Sequence, residues 1–460
     1  MTTGTAARPG ADLRMAWLLT RGSDRREWWR IGLTAFGAAL ATGIGLAIAV
    51  LNSLDGYHSV SFGSGLLDSA SDRRNVSLVM GLLLVPVLGF LGQCARVGAV
   101  HRDRRLAALR LAGAGPWQVR RIAALESGPA CLAGSLTATA LGVPLLLHLW
   151  ARPTVLTWTG IALVAVAVPV LGAAVGALSL RRVVASPLGW VRRVRPVWGP
   201  GRTLRAVSGL LGVAGLLAGL SAFTGGPVRL TLGPPALFVV VLLVGFATVS
   251  LTGTAARRLG GALASRAQSP APLIAAERLR DDPWAAARTH AAVLLVTVVG
   301  AGFVGVRQVL LETLHTMRRE GTLGTDMAYY TTGIDLTAAA ILVALALTVT
   351  GLAVGTVESL ATRRRGLAAQ VAAGVPHRVL ARALLLETAL PLAPAVAVAG
   401  LGGTAIGFWY ASLAAHGTGT GLPYAALLVP VAVYAACLLA AATSLPLLRR
   451  SVRPAELRHA

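Results

Sequence analysis

The chain runs to 460 residues, 55% of them hydrophobic and only 13% charged, with a mean hydropathy of +0.69. That balance excludes a soluble globular domain of this size. The formal net charge of +24 rests on 42 basic residues, every one an arginine; in a soluble chain it would suggest nucleic acid, but no soluble basic module remains here to bind any.

A helix of about 20 predominantly apolar residues crosses the hydrocarbon of a bilayer. Ten stretches qualify: 31–51, 77–100, 126–148, 158–180, 206–223, 233–253, 289–311, 333–357, 385–410 and 423–447. Lipid offers backbone groups no partners, so these are expected as helices and not as strands. The expected fold is an all-α polytopic membrane protein with about ten transmembrane helices. Residues 1–30 carry six Arg ahead of the first stretch. They are expected as a cytoplasmic or interfacial segment before a true span, because no soluble domain follows as it would after a cleaved signal.

The arginines themselves give an orientation. With the N-terminus inside, 35 of the 42 fall in the two tails and the inward connections, while Arg73, Arg74, Arg152, Arg229, Arg318 and Arg319 lie outside. The seventh stretch holds the last one, Arg307. Arginine-rich connections stay on the cytoplasmic side, so the expectation is a multi-pass protein of the plasma (inner) membrane with both termini cytoplasmic. The outward loops, roughly 52–76, 149–157, 224–232, 312–332 and 411–422, are too short to fold as domains. The inward segment 181–205 holds seven Arg and is expected to lie on anionic lipid. Cys94, Cys131 and Cys437 all fall in apolar stretches and read as packing residues.

One segment occurs twice. Residues 102–126 align without gaps to 363–387, with ten identities in 25 at a constant offset of 261. The matched residues include Arg102 and Arg363, Arg104 and Arg365, Leu106 and Leu367, Gly113 and Gly374, Arg121 and Arg382, and Glu126 and Glu387. Each copy follows the second span of a four-span unit that starts from the same side of the membrane, so the units are parallel repeats. Leu106, Leu109 and Ala112 recur at three-residue spacing, which predicts a short helix with an apolar strip. Gly113 and Gly374 stand where a helix ends with positive φ. A second helix then carries Arg121 or Arg382 into the third span at Glu126 or Glu387. The product is a helix–turn–helix elbow joined rigidly to a span. Weaker basic, Trp-bearing segments, 13–30 and 273–288, precede the two units and suit amphipathic helices at the inner interface; a charged flank of the next span explains them equally well.

The order of a span, an outward segment, a second span, an Arg-rich A-x-x-x-A-G turn and a Glu opening the third span resembles the FtsX/MacB-type ABC permease domain. It occurs here at 31–180 and again at 289–447. The ten-span layout with an intervening pair is similar to the permeases of bacitracin-type peptide exporters. The resemblance implies that the elbows Arg102 to Gly113 and Arg363 to Gly374 are coupling helices that dock a separate ABC ATPase, two copies to one chain. It also implies export or mechanotransmission driven from that partner. The large outer domains that such permeases carry have no room in 52–76 or 312–332.

Other chemistries lack their residues. A Walker A loop needs a lysine, and the chain has none, so it is not expected to be an enzyme; ATP and Mg would sit on the partner and no cofactor on this chain. Its eight His residues are scattered singly, without the pairing of a metal site. No ionisable residue lies near the middle of a span, which argues against a proton-coupled carrier. A secondary transporter and a signalling or scaffold protein remain the alternatives. The expected division is 1–30 as the N-terminal segment, 31–180 as the first permease unit, 181–288 as a basic linker with two inserted spans, 289–447 as the second unit, and 448–460 as a cytoplasmic tail.

Overall fold

The computed structural model describes residues 25–54, 56, 57, 63–96, 111–113, 115–149, 153–179, 234–414, 424–446 and 448. Among them the ordered elements are helical, with no strand. In chain order these are α1 (Arg25–Asn52), α2 (Ala70–Arg96), α3 (Pro116–Leu149), α4 (Val155–Ser179), α5 (Pro234–Arg266) and α6 (Pro270–Asp281). Then follow α7 (Pro283–Arg319), α8 (Met327–Ala372), α9 (His377–Ala414) and α10 (Leu428–Ala442), the last entered by a 3-10 turn at Tyr424–Leu427. Eight helices among the described residues are long and apolar enough to cross a membrane: α1 to α4 and α7 to α9, with α10 and its leading turn as the eighth. They match eight of the ten expected stretches. The expected span at 233–253 forms the first part of α5, and the one at 206–223 lies outside the described residues, as does the linker 181–205.

Two compact units emerge, one of residues 1–55 with 90–196 and the other of 56–89 with 197–460. Helix α2 is shared by sequence between them, its stretch to Gly89 counting with the second unit.

In the first unit α1, α3 and α4 pack on one another, with α1 against α3 the most extensive pairing. Small residues make this possible. A Cβ on Gly134 would strike the Ala35 carbonyl, one on Gly172 would meet Cys131 Sγ, and one on Gly45 would come within 2.8 Å of Val164. With no hydrophobic drive between spans in lipid, such close backbone approach supplies the contact. Hydroxyls add to it: Ser53 Oγ lies 2.7 Å from Thr157 Oγ1, and Ser135 Oγ donates to the Ala165 carbonyl at 2.9 Å.

In the second unit α7 is the central element, with more than half of its span buried. Its Val293, Leu294, Leu295 and Val298 form one core with Leu352 of α8, Leu392, Val396 and Ala399 of α9, and Val433 and Cys437 of α10. Again the first and third spans, α7 and α9, make the most extensive contact. Gly403 lies on the Val298 carbonyl and Ala301, and a Cβ on Gly407 would stand 3.2 Å from Gly305 Cα. Thr297 donates to the Val293 carbonyl and Thr404 to the Gly400 carbonyl, each at 2.8 Å, so these two buried hydroxyls are satisfied by their own helices.

Two local expectations change. The segment 273–288 is not one amphipathic helix on lipid. It divides at Asp282, whose carboxylate caps α7 by accepting from the Ala285 amide at 3.1 Å, with Pro283 at the first helical position. Before it, α6 buries Ala271, Ala275, Ala276 and Leu279 and packs on α5 and α9. The residues 13–24 of the companion segment lie outside the described ones, while Trp28 and Trp29 are exposed on the first turns of α1. The first arm of the second elbow is likewise no separate short helix. It is the last part of the 46-residue α8, continuous with the span, because its Ala- and Leu-rich sequence contains nothing to stop a helix before Gly374.

Candidate functional site

The second elbow is described in full. Helix α8 ends at Ala372, and Gly374 then takes φ +88°. The Gly374 amide donates to the Val371 carbonyl at 2.9 Å and the Val375 amide to the Gln370 carbonyl at 3.0 Å. This paired closure is the Schellman motif, which needs a left-handed residue at the turn. Pro376 follows, and its carbonyl accepts from Val379 at 2.9 Å as α9 begins.

The two arms are held by a small apolar core of their own. Leu360, Leu367, Leu380 and Leu448 are buried together, with Val371, Val375, Leu384 and Ile274 of α6 packed around them. Leu367, expected within the docking elbow, is 1% exposed and packs between the arms. The charged residues divide by face. Arg365, Arg378 and Arg382 are exposed. Arg363 instead turns inward, and its Nη1 lies 2.7 Å from Glu387 Oε1. The other oxygen of the same carboxylate, Oε2, lies 3.2 Å from Nη1 of Arg278 on α6. Arg278 and Glu387 are about one-fifth exposed and Arg363 more so, so each bond is partly sheltered from water.

A cavity of about 110 Å³ with a mixed polar and apolar wall adjoins this triad, lined by Arg278, Arg363, Glu387, His290, Leu352 and Leu384, among others. His290 is 3% exposed and its Nδ1 lies 2.7 Å from the Ala286 carbonyl. That oxygen only accepts, so Nδ1 carries the proton. Among the described residues no group of three or more His, Cys, Asp or Glu is placed to hold a metal.

The first elbow is described in part. Gly113 takes φ +97°, and α3 runs without interruption from Pro116 through Arg121 and Glu126 into the third span. Beside the turn Leu111 and Trp117 are 64% and 74% exposed. Arg102, Arg104, Leu106 and Leu109 lie outside the described residues, and so does the side chain of Glu126.

The sequence reading missed Arg278, which lies outside the repeat. It also treated the loop 52–76 as a bare connection. There Gly63, Ser64 and Gly65 all take positive φ, and Arg73, 1% exposed, donates to the carbonyls of Gly56, Leu67 and Asp68 at 2.5, 2.9 and 2.8 Å. The segment meets the first turns of α8: Tyr329 Oη donates to Asp72 Oδ2 at 2.8 Å, and Ser64 and Thr332 hydroxyls lie 3.2 Å apart. The Asp68 carboxylate accepts a hydrogen bond from the exposed Tyr57 phenol at 3.2 Å and raises its pKa.

Two glycine-turned elbows, each feeding one unbroken helix into a third span, are the arrangement that the comparison then meets. Residues 75–188 match the FtsX-like permease C-terminal family. That stretch runs from α2 through the first elbow and onward past α4. Proteins of this family typically work with an ABC ATPase and are generally non-enzymatic membrane subunits. Together with the apolar helices, the match supports a multi-pass membrane protein of the ABC-permease type, in agreement with the FtsX/MacB resemblance. No curated protein matches the chain.

Proposed function

We propose that the chain is the non-hydrolysing permease subunit of an ABC assembly in the plasma membrane, with both termini cytoplasmic. In this reading the two elbows dock a separate ATPase, two copies to one chain, and ATP and Mg stay on that partner. Work done by the ATPase leaves through the elbows as export or mechanotransmission.

The observation that carries this reading is the second elbow itself. It joins two helices of 46 and 38 residues by a closed turn with an apolar core and an ion pair across its base, so that a push on the turn moves both helices instead of bending a hinge. Its outer face is basic, with Arg365, Arg378 and Arg382 exposed, which suits an acidic groove on a partner. At the first elbow the exposed Leu111 and Trp117 are of the kind that anchors an interface. The two units are duplicates on this reading, divided as 31–180 and 289–447, and the shared pairing of first with third spans supports it.

Purification decides the central point. The chain alone is expected to hydrolyse no ATP, and the chain with its cognate ATPase is expected to form a complex that Gly113→Val with Gly374→Val weakens. Sustained hydrolysis by the chain alone, or failure of every candidate ABC ATPase to bind it, overturns the reading.

A further inference from the structure

We propose that Arg278 is a positioning residue of the second elbow, which fastens helix α6 to it so that α6, the end of α8 and the start of α9 move as one body. The inference rests on the reading of the elbow as the part that receives the partner.

The chemistry lies in how Glu387 divides its charge. One oxygen accepts from Arg363 of α8 and the other from Arg278 of α6, so one carboxylate on α9 holds two neighbouring helices through separate bonds. A surface ion pair between mobile side chains contributes little, because each partner must be ordered to make it. Here both backbones are already fixed. Helix α6 is packed by Ala271, Ala275, Ala276 and Leu279, and the elbow arms by Leu360, Leu367 and Leu380. Arg278 itself is 17% exposed. Ile274, one turn before Arg278, packs on the elbow core, so the apolar contact and the ion pair fall on the same side of α6. Removing the charge leaves the apolar contact alone, which tolerates sliding; a directed N–H···O bond fixes register as well.

Arg363 and Glu387 have repeat partners in Arg102 and Glu126, whereas Arg278 lies outside the repeat.

The test uses the permease–ATPase complex in lipid, with spin labels at Leu273→Cys on α6 and Thr362→Cys on α8, Cys94, Cys131 and Cys437 having been replaced by Ala. With Arg278 present, the distance distribution is expected to be narrow and unchanged by nucleotide. Arg278→Met is expected to broaden it and to let it shift when ATP is added, while permease-dependent stimulation of the ATPase falls. Arg278→Lys, which keeps a cation opposite Glu387, is expected to restore the narrow distribution. If the Met variant keeps both the narrow distribution and the stimulation, Arg278 does not position the elbow and the inference is overturned, with the permease reading intact. If the parent chain binds no ATPase at all, the permease reading falls and takes the inference with it.

Discussion

At Gly374 the backbone stands at φ +88°, and no heavy atom lies within 4 Å of where a Cβ would project. A side chain there meets strain in its own backbone and no collision. Gly374→Ala is therefore expected to cost about 1–2 kcal/mol, Gly374→Val more because a β-branch tolerates positive φ least, and Gly374→Asn least of the three. Thermal unfolding followed by a thiol-reactive dye reads the order directly, since all three cysteines are buried until the bundle opens. Equal midpoints for the Val and Asn variants would show that the turn does not need its left-handed residue. Both this glycine and Glu387 were legible in the sequence because each occurs twice at one offset. Arg278 was not, because its partner is 109 residues away and only the packing of α6 on α9 brings the two together. Leu367 was seen as apolar, yet one chain of residues cannot tell a leucine that waits for a partner from one that fills its own hairpin.

Between elements, glycine serves closeness of approach instead. Gly403 of α9 lies on the Val298 carbonyl of α7, and no rotation of a side chain relieves a contact between a Cβ and a backbone oxygen. Gly403→Val is expected to force α7 and α9 apart and to destabilise the second unit by roughly 1–3 kcal/mol or more. Gly261→Val on α5, where nothing lies within 4 Å, serves as control, since Val is a slightly better helix former than Gly. Comparable unfolding midpoints for the two variants would contradict the crossing described here. Gly37, Ala41, Gly45 and Ala49 repeat every four residues along α1, but in a chain with 53 Gly such spacing does not name a partner. Which of many such faces meet is decided by tertiary contacts that a period of four does not encode. The loop before α2 escaped for another reason. Arg73 looked like a charge that marks a side of the membrane, whereas its guanidinium has the carbonyls of a tight turn around it.

For the whole molecule, hydropathy marked the eight spans that the structure describes, because the cost of an unpaired amide in lipid leaves a long apolar run one option. Their ends were less legible, since a helix that leaves the hydrocarbon need not stop. The arginine distribution predicts an orientation that fusions can check. A reporter active only in the cytoplasm, placed after Ala460 or within 181–205, is expected to work, and one placed at 320–326 is not; the reverse pattern would invert the chain. Helix α8 shows what its length allows. At 1.5 Å per residue its 46 residues extend about 69 Å, more than twice the roughly 30 Å of hydrocarbon it has to cross. Its first turns touch the start of α2 at Asp72 through Tyr329, and its last turns carry Arg363 and the elbow. A stiff rod of that length pivoted at one tip by about 5° carries the other tip about 6 Å, a displacement larger than a full helical turn's rise. On the proposed function, that length lets an event on one side of a bilayer reach the other through the geometry of a single helix.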